Sequence, residues 1–318
     1  MIGYIIRRLG AIVPTLLVGI FIAFTLTYFG PGDPIRVFLE QQGRLSEDAY
    51  EALRRQYGLD RPFLVQFGDY VTGLVRGTFG KSIWAGGRPI EVMIRRALPV
   101  SVQLGFVAFV ITVGMGVPLG VFAALRQNSV VDYAIVSASV VLSSIPTFVL
   151  APMLLILFVL VIPVLKNPIG WGGVFDARIV LPAFCIAVGP LMGIVRQARS
   201  AVLEVIRQDY VRTAYAKGLP RRMVIWRHIF RHILTPLLSV GVGLFGGILQ
   251  GSIFVERVFN IPGYGALSFQ SFVARDFPVI LATTVVAAVI AMTLNLVLDV
   301  SYGLVDPRVR LGRRVEEV

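Results

Sequence analysis

Residues 98–125 read LPVSVQLGFVAFVITVGMGVPLGVFAAL and contain no acidic or basic side chain. About 20 mostly apolar residues in a helix cross the hydrocarbon core of a bilayer, so this run is long enough to span a membrane. Five other uncharged runs lie along the chain, at residues 9–29, 133–165, 179–195, 233–255 and 279–298. Six such runs predict an all-α membrane protein with six transmembrane helices.

Three of the six runs need a further comment on length. Residues 133–165 are too many for one straight crossing and include Pro146, Pro152 and Pro163, so we expect a kinked or tilted helix. Residues 179–195 are few for a span, but the Arg196 side chain can reach the interface and extend it. The run at 9–29 exceeds the apolar core of a signal peptide and is followed by no cleavage motif, so we expect a retained span.

The composition excludes an ordinary soluble enzyme. The chain of 318 residues is 56% hydrophobic and 15% charged, whereas a soluble domain is about 25% charged. Its net charge of +12 could suit nucleic acid or a membrane surface, but the basic residues collect in the short segments on one side of the apolar runs, so we expect a lipid bilayer and no nucleic acid as a partner. The single cysteine, Cys185, excludes an internal disulfide.

Lys and Arg of the short connecting segments predict the orientation. Most of them fall in the segments on the same side as the N-terminus, which therefore should be cytoplasmic together with the C-terminus. The long segment at residues 30–97 is then outside. There Ser46 can cap a helix that ends at Gly58, Pro62 can begin a second one that ends at Gly77, and residues 89–97 form a third piece. These helices predict a small extracytoplasmic cap.

Two phosphate-binding patterns occur in unsuitable surroundings. Gly80-Lys81-Ser82 resembles the end of a phosphate-binding loop, but Val75 stands where its first glycine is required. A G-x-G-x-x-G pattern at residues 241–246 lies inside an apolar run with no strand before it. Close packing of helices is the better interpretation there, because three glycines follow one another at four-residue spacing: Gly243, Gly247 and Gly251.

No residue set predicts catalysis or a metal site. His228 and His232 are four residues apart, but the glutamate of a zinc-binding H-E-x-x-H motif and a third ligand are missing from the pattern. The apolar runs also contain no acidic or basic relay group, and Asp299 comes only after the last of them. We therefore expect no cofactor on this chain and an energy source in another subunit. The alternatives to a chain that depends on another subunit for energy are an ion-coupled secondary carrier that acts alone and, more remotely, a membrane-embedded enzyme.

The connection at residues 197–236 is long, basic and helical in pattern. Residues 207–220 read RQDYVRTAYAKGLP, in which Val211, Ala214 and Tyr215 form an apolar patch and Gly218 ends the helix. A solvated basic loop is the simpler interpretation. A short turn would suffice to join two helices, however, so the length favours a function.

On this segment the sequence resembles the inner-membrane permeases of binding-protein-dependent ABC importers, and more narrowly their dipeptide/oligopeptide/nickel group. That family carries an E-A-A-x-x-x-G signature, and here Arg212-Thr213-Ala214 stands at its E-A-A place and Gly218 at its glycine. Arg and Thr depart from the general consensus but fit the peptide subgroup, as does the distance to Pro236. The resemblance extends along the whole chain, to residues 7–9, 14–16, 31–34, 256–265, 275–278 and 306–308.

The resemblance implies a type I ABC importer permease with residues 1–97 as the first span and cap, 98–305 as the permease domain and 306–318 as a basic cytoplasmic tail. It implies import of peptides, or of nickel or glutathione, across a bacterial inner membrane. Its partners would be a second homologous permease, two cytoplasmic ATPases that bind ATP and Mg²⁺, and an extracytoplasmic substrate-binding protein. The helix that couples this chain to the ATPases would comprise Arg207, Tyr210, Arg212, Thr213, Ala214, Tyr215, Lys217 and Gly218. An outer gate would include Glu256, Phe259, Pro262, Gly263 and Gly265.

Overall fold

The structure, a computed structural model, describes residues 2–30, 32–43, 46–163, 168–230, 246 and 252–305. The regular elements in these residues are helices, accompanied by an isolated β-bridge between Lys81 and Pro89. The chain divides into two compact units. The N-terminal unit contains Ile2–Ser101 and Pro262–Met292, and the central unit contains Val102–Ile261 and the chain from Thr293 onward.

Twelve α-helices are described within these residues. They are α1 (Ile2–Tyr28), α2 (Pro34–Gln41), α3 (Glu47–Gln56), α4 (Phe63–Val75), α5 (Ile90–Leu125), α6 (Val130–Ser143), α7 (Thr147–Leu155), α8 (Val180–Ile206), α9 (Asp209–Ala216), α10 (Arg221–Met223), α11 (Tyr264–Ala274) and α12 (Phe277–Val305). Helices α7 and α10 each continue as one π-helical turn, Ile156–Val161 and Val224–Ile229.

Four helical stretches are long and apolar enough to cross a membrane: Gly10–Tyr28, Ile90–Leu125, Ala177–Ile206 and Phe277–Ser301. They match four of the six runs read from the sequence. Residues 89–97, expected as a separate piece of the cap, largely form the first turns of α5. The run at 233–255 lies outside the described residues except for Gly246 and residues 252–255, and Gly243, Gly247 and Gly251 are among those left out.

The run at 133–165 is not one kinked helix. Helix α6 ends at Ser143, and the stretch Thr147–Val161 leaves it at 101°. The cause is local: Pro146 has no N–H to donate and disfavours the helical conformation of the residue before it. The two stretches together form a fifth candidate crossing in two parts.

In the N-terminal unit, capping residues begin the short helices. Asp33 Oδ1 accepts from the backbone N–H of Ile35 at 2.9 Å at the start of α2, and Ser46 Oγ accepts from Ala49 at 3.2 Å at the start of α3. Helix α4 packs on α1 and α12 through an apolar cluster that contains Ile20, Phe24, Phe63, Phe67, Tyr70, Leu74, Leu281 and Val285. The cap at Ser46 and a helix between Pro62 and Gly77 were both predicted from the sequence.

In the central unit, α8 is the buried helix. It packs against α6 and α7, and Cys185 on it is fully buried. Helix α5 comes unusually close to α8 at Gly120, where a Cβ atom would lie 2.5 Å from the carbonyl oxygen of Val195 and 2.7 Å from Ala198 Cβ. Glycine is needed there because any side chain would force the two helices apart.

Candidate functional site

Helix α9 is the element that the sequence singled out. It follows α8 after Arg207 and Gln208 and extends from Asp209 to Ala216. One side of it is buried: Val211 is 1% and Ala214 4% exposed. Both belong to an apolar cluster with residues of α5, α8 and the π-helical turn after α10, namely Ala124, Ile194, Ala198, Ala201, Val202, Val224 and Ile229. The helix is therefore anchored to its own chain by this face.

The other side of α9 faces outward. Tyr210 and Tyr215 are 39% and 41% exposed, and Arg212, Thr213 and Lys217 are also exposed. Arg212 Nη1 lies 3.7 Å from Asp209 Oδ1, a solvent-exposed pair of small energetic value. Ala214 was expected to touch a partner, but it packs inside the chain. The outward face contains two aromatic rings with hydroxyl groups, the Thr213 hydroxyl, the basic side chains of Arg212 and Lys217 and the acidic side chain of Asp209.

Gly218 ends this helix in the left-handed conformation, with φ +74°. Its N–H donates to the carbonyl oxygen of Tyr215 at 2.9 Å, and Leu219 donates to that of Ala214 at 3.3 Å. These bonds satisfy the last carbonyls of α9, as a glycine after a helix end usually permits. The stop after Lys217 was foreseen from the sequence.

A buried ion pair near α9 was not foreseen. Asp132 of α6 is 1% exposed, and its Oδ1 and Oδ2 accept from Nε and Nη2 of Arg199 on α8 at 2.6 and 2.8 Å. The N–H of Asn128 donates to the same carboxylate at 3.0 Å. Arg196 lies one turn before Arg199 on α8, and its guanidinium donates to the carbonyl oxygen of Ser139 at 3.3 Å. From the sequence we expected this side chain to reach the membrane interface and extend the span. These bonds fix α6 to the helix that leads into α9.

The first part of the proposed outer gate lies in the central unit. Glu256 is fully buried, and its Oε1 accepts from Ser252 Oγ at 2.7 Å. Phe259 is also fully buried, and its carbonyl oxygen accepts from the N–H of Gly170 at 2.7 Å. Asn260 has the positive φ of this turn, +51°. Glu256 and Phe259 are therefore packed inside their unit.

The second part of the turn lies in the N-terminal unit. Pro262 is exposed, Gly263 precedes α11, and Gly265 is buried within it. Gly263 has φ −94° and ψ 178°, which other residues also adopt, so the left-handed residue of the turn is Asn260 and not a glycine. Ser101 Oγ accepts from the N–H of Tyr264 at 2.7 Å and ties α11 to α5.

Ser82 belongs to the pattern that resembles a phosphate-binding loop, but in the structure its side chain bonds to a carboxylate. Its hydroxyl donates to Asp276 Oδ2 at 2.5 Å, and the N–H groups of Ile83 and Trp84 donate to the same carboxylate at 3.3 Å. Burial raises the pKa of the Asp276 carboxyl, and these hydrogen bonds oppose that shift. Within the described residues, the segment around Lys81 has an isolated bridge in place of the strand that a phosphate-binding loop follows.

Metal-binding groups do not converge in the part of the chain that the structure describes, where no three His, Cys, Asp or Glu side chains come together. His232 lies outside that part, and the side chain of His228 is not described. The expectation of no metal site therefore stays a prediction.

The long apolar helices define the class as a helical membrane protein, and the family comparison identifies it as a transport subunit. Residues 116–311 match the family model of the binding-protein-dependent transport system inner membrane component, and residues 1–89 match the model of its N-terminal part. The chain belongs to this family, which is the family of the resemblance noted in the sequence.

Several relatives are similar over their whole length. The chain is 38% identical to the dipeptide transport system permease protein DppB of Bacillus subtilis, covering 99% of this chain and 100% of the relative. It is 34% identical to the oligopeptide transport system permease protein AppB of the same organism, covering 97% and 99%. It is 32% identical to the oligopeptide transport system permease protein OppB of Escherichia coli, covering 98% and 100%.

A solved structure has a similar fold. The chain aligns with one from an inward-facing conformation of the MetNI methionine ABC transporter, with a TM-score of 0.55. The alignment covers 67% of this chain and 96% of the other, at 20% identity. At this identity the likeness establishes the common fold alone.

Proposed function

We propose that this chain is a permease subunit that moves dipeptides and oligopeptides inward across a bacterial plasma membrane by alternating access. The observation that carries the proposal is similarity over the full length, at 32–38% identity, to permeases named for dipeptide and oligopeptide transport. Separate ATPase subunits would supply the energy and bind ATP and Mg²⁺. This chain would contribute the path and no cofactor.

The proposed topology has six spans with both termini in the cytoplasm. The bent pair α6–α7 would be the third span, and residues 233–255 the fifth. Residues 30–97 would then form an extracytoplasmic cap that meets a substrate-binding protein, while residues 306–318 would form the cytoplasmic tail. A second homologous permease would complete the path. The distribution of Lys and Arg in the short connections supports this orientation.

Helix α9 would be the joint with an ATPase subunit. Its anchored face would transmit a displacement to α8 and α5, because Val211 and Ala214 share an apolar cluster with residues of both helices. Its outward face would contact the partner, with Arg212 and Lys217 set against acidic groups and the two tyrosines contributing area. Arg207, exposed at the end of α8, would extend the basic surface.

The other two groups of residues have proposed roles in the path. The turn from Glu256 to Gly265 would form part of the outer gate, with its two ends held firmly in their own units. Gly243, Gly247 and Gly251 would allow close packing of the fifth span. Gly246, in the same run, supports such packing, because a Cβ there would lie 3.3 Å from Leu294 Cδ1.

Purification of the tagged chain from its host, followed by reconstitution, tests the proposal. We expect two ATPases and a second permease to copurify, and the complex with its binding protein to take up labelled dipeptide in proteoliposomes only with ATP and Mg²⁺. Unlabelled dipeptide should compete, whereas nickel or glutathione would compete if either were the substrate. Uptake by the chain alone, driven by an ion gradient, would instead establish a secondary carrier.

A further inference from the structure

A cavity of about 780 Å³ opens within the N-terminal unit. Its walls come from the end of α1, the start of α12, and helices α3 and α4 with the turns that flank them. The volume is in the range of cavities that hold small molecules. None of the functional roles proposed above uses it.

One half of the cavity wall is apolar. It is formed by Phe24 and Tyr28 of α1, by Phe277 and Leu281 of α12, and by the ring of Tyr70 on α4. Helices α1 and α12 both contain stretches long and apolar enough to cross a membrane, and these residues lie at the end of one stretch and the start of the other. This half is therefore at the edge of the hydrocarbon region.

The other half of the wall is charged, with four basic residues and the carboxylates of Asp33 and Asp69. Arg61 is bound to Asp69 at 2.8 Å, and Arg55 to Glu51 at 3.0 Å. In the described part of the chain, Arg54 and Lys81 have no carboxylate within ion-pair distance, although both line the cavity. Two cations are thus available to an anionic group in the cavity.

The hydroxyl of Tyr70 also lacks a hydrogen-bond partner. It is buried in the cavity wall, and no group in the described residues bonds to it. A buried hydroxyl without a partner is unfavourable and uncommon in folded proteins. This oxygen has almost no accessible surface, so a ligand in the cavity would meet the ring of Tyr70 and not its hydroxyl group.

Helix α4 indicates that the cavity meets lipid and not only water. One face of α4 packs on α1, yet Leu64 and Val75 on α4 remain 72% and 85% exposed. A helix that is apolar on its exposed side is stable where its surroundings are the membrane interface. A lipid, which lies in the membrane and has an apolar chain, fits such a cavity better than a peptide dissolved in water.

We propose that this cavity binds one anionic phospholipid. Arg54 and Lys81 bind the phosphate of its headgroup, and an acyl chain lies against Phe24, Leu281 and the ring of Tyr70. The site itself depends only on the N-terminal unit. In the proposed topology the cavity is on the extracytoplasmic side, so the bound lipid belongs to the outer leaflet, and this part of the inference rests on the proposed function.

Native mass spectrometry of the purified full-length chain, with its copurifying subunits, tests the proposal. Phosphatidylglycerol and phosphatidylcholine with the same acyl chains are added separately, and the lipid retained is measured. We expect preferential retention of phosphatidylglycerol. Arg54→Gln with Lys81→Gln should weaken it about twenty-five-fold, since each basic residue near an anionic lipid contributes about fivefold.

The matched control is Arg76→Gln with Arg88→Gln. Both arginines are exposed in the same segment and make the same change in charge, but neither lines the cavity. Equal retention of the two lipids, or an equal loss in the control pair, would overturn the proposal. So would displacement of the lipid by a dipeptide or by millimolar inorganic phosphate, which would assign the cavity to a soluble anion. Lipid retention is measured without transport, so its failure would leave the proposed function standing.

Discussion

Gly218 offers the sharpest test of α9 as the joint with an ATPase. The residue has φ +74°, and a Cβ atom built on it meets no atom within 4 Å. A side chain at this position therefore causes no clash, and the cost is the left-handed backbone alone, about 1 kcal/mol. Asn and Asp occupy this region more readily than other side chains. Gly218→Asn and Gly218→Asp are nearly isosteric and differ chiefly in charge.

The electrostatic cost of Gly218→Asp to this chain itself is also small. A negative charge just after the end of α9 is unfavourable because the helix end already carries partial negative charge, and this costs about 0.3–1 kcal/mol at an exposed position. Lys217 is next to it and offsets part of that cost. The two variants should thus differ in unfolding free energy by no more than about 1 kcal/mol.

Docking should separate the variants far more clearly. If acidic groups of an ATPase face the basic surface of α9, a new carboxylate there meets like charge during association, which costs several kcal/mol. In proteoliposomes with the assembled transporter, we expect Gly218→Asn to retain most of the dipeptide uptake. Gly218→Asp should lose more than about tenfold, together with transport-coupled ATPase activity.

Two results would refute this reasoning. Wild-type uptake and coupled ATPase activity in Gly218→Asp would mean that α9 is not the joint. Equal loss in both variants, with a lowered melting temperature in both, would mean that the left-handed turn matters to folding and that charge does not matter to docking.

Three further experiments, each with a control variant, test the packing and capping of the helices. Asp132→Ala leaves Arg199, whose side chain is 26% exposed, without its partner and should lower the unfolding free energy by about 1–3 kcal/mol, measured as thermal stability in detergent, while Asp132→Leu combined with Arg199→Met should recover much of it. Gly120→Val forces α5 from α8 and should cost about 1–3 kcal/mol in the same measurement; Gly114→Ala, where a Cβ meets nothing within 4 Å, should not. Ser46→Ala removes the cap of α3 and should speed hydrogen exchange of that helix about fivefold, unlike Ser46→Asp, which can still cap.

The membrane helices could be predicted because their signal is long and local. A run of about 20 uncharged residues can satisfy its backbone in lipid only as a helix, so four crossings follow from the sequence directly. The break between α6 and α7 is harder to predict. The prolines of residues 133–165 predict a bend, but the angle of 101° at Pro146 depends on what each half packs against.

Features that join distant parts of the chain could not be predicted. Asp132 and Arg199 are 67 positions apart, and each alone is an ordinary charged residue beside an apolar run. The same holds for Ser82 and Asp276, which bond across 194 positions. Helix α2 was missed for another reason: it has only eight residues, too few for its periodicity to stand out.

In the candidate site, too, only the features with a local sequence signal could be predicted. The end of α9 at Gly218 followed from a glycine after a basic residue, a local signal. That Ala214 packs inside its own chain did not follow, because an apolar residue on a short helix has the same pattern whether it faces its own core or a partner. In the turn after residue 255, the left-handed residue is Asn260, which the sequence analysis did not single out.

The burial of Cys185 has a practical consequence for spectroscopy. Thiol reagents need access to the sulfur, and this sulfur, the only one from a cysteine in the chain, is enclosed within α8. The natural protein is therefore close to a cysteine-free background for labelling. A cysteine placed at Thr213 would report the approach of a partner to α9, and one placed at Arg76 would report the cap, each by a single probe on otherwise unaltered protein.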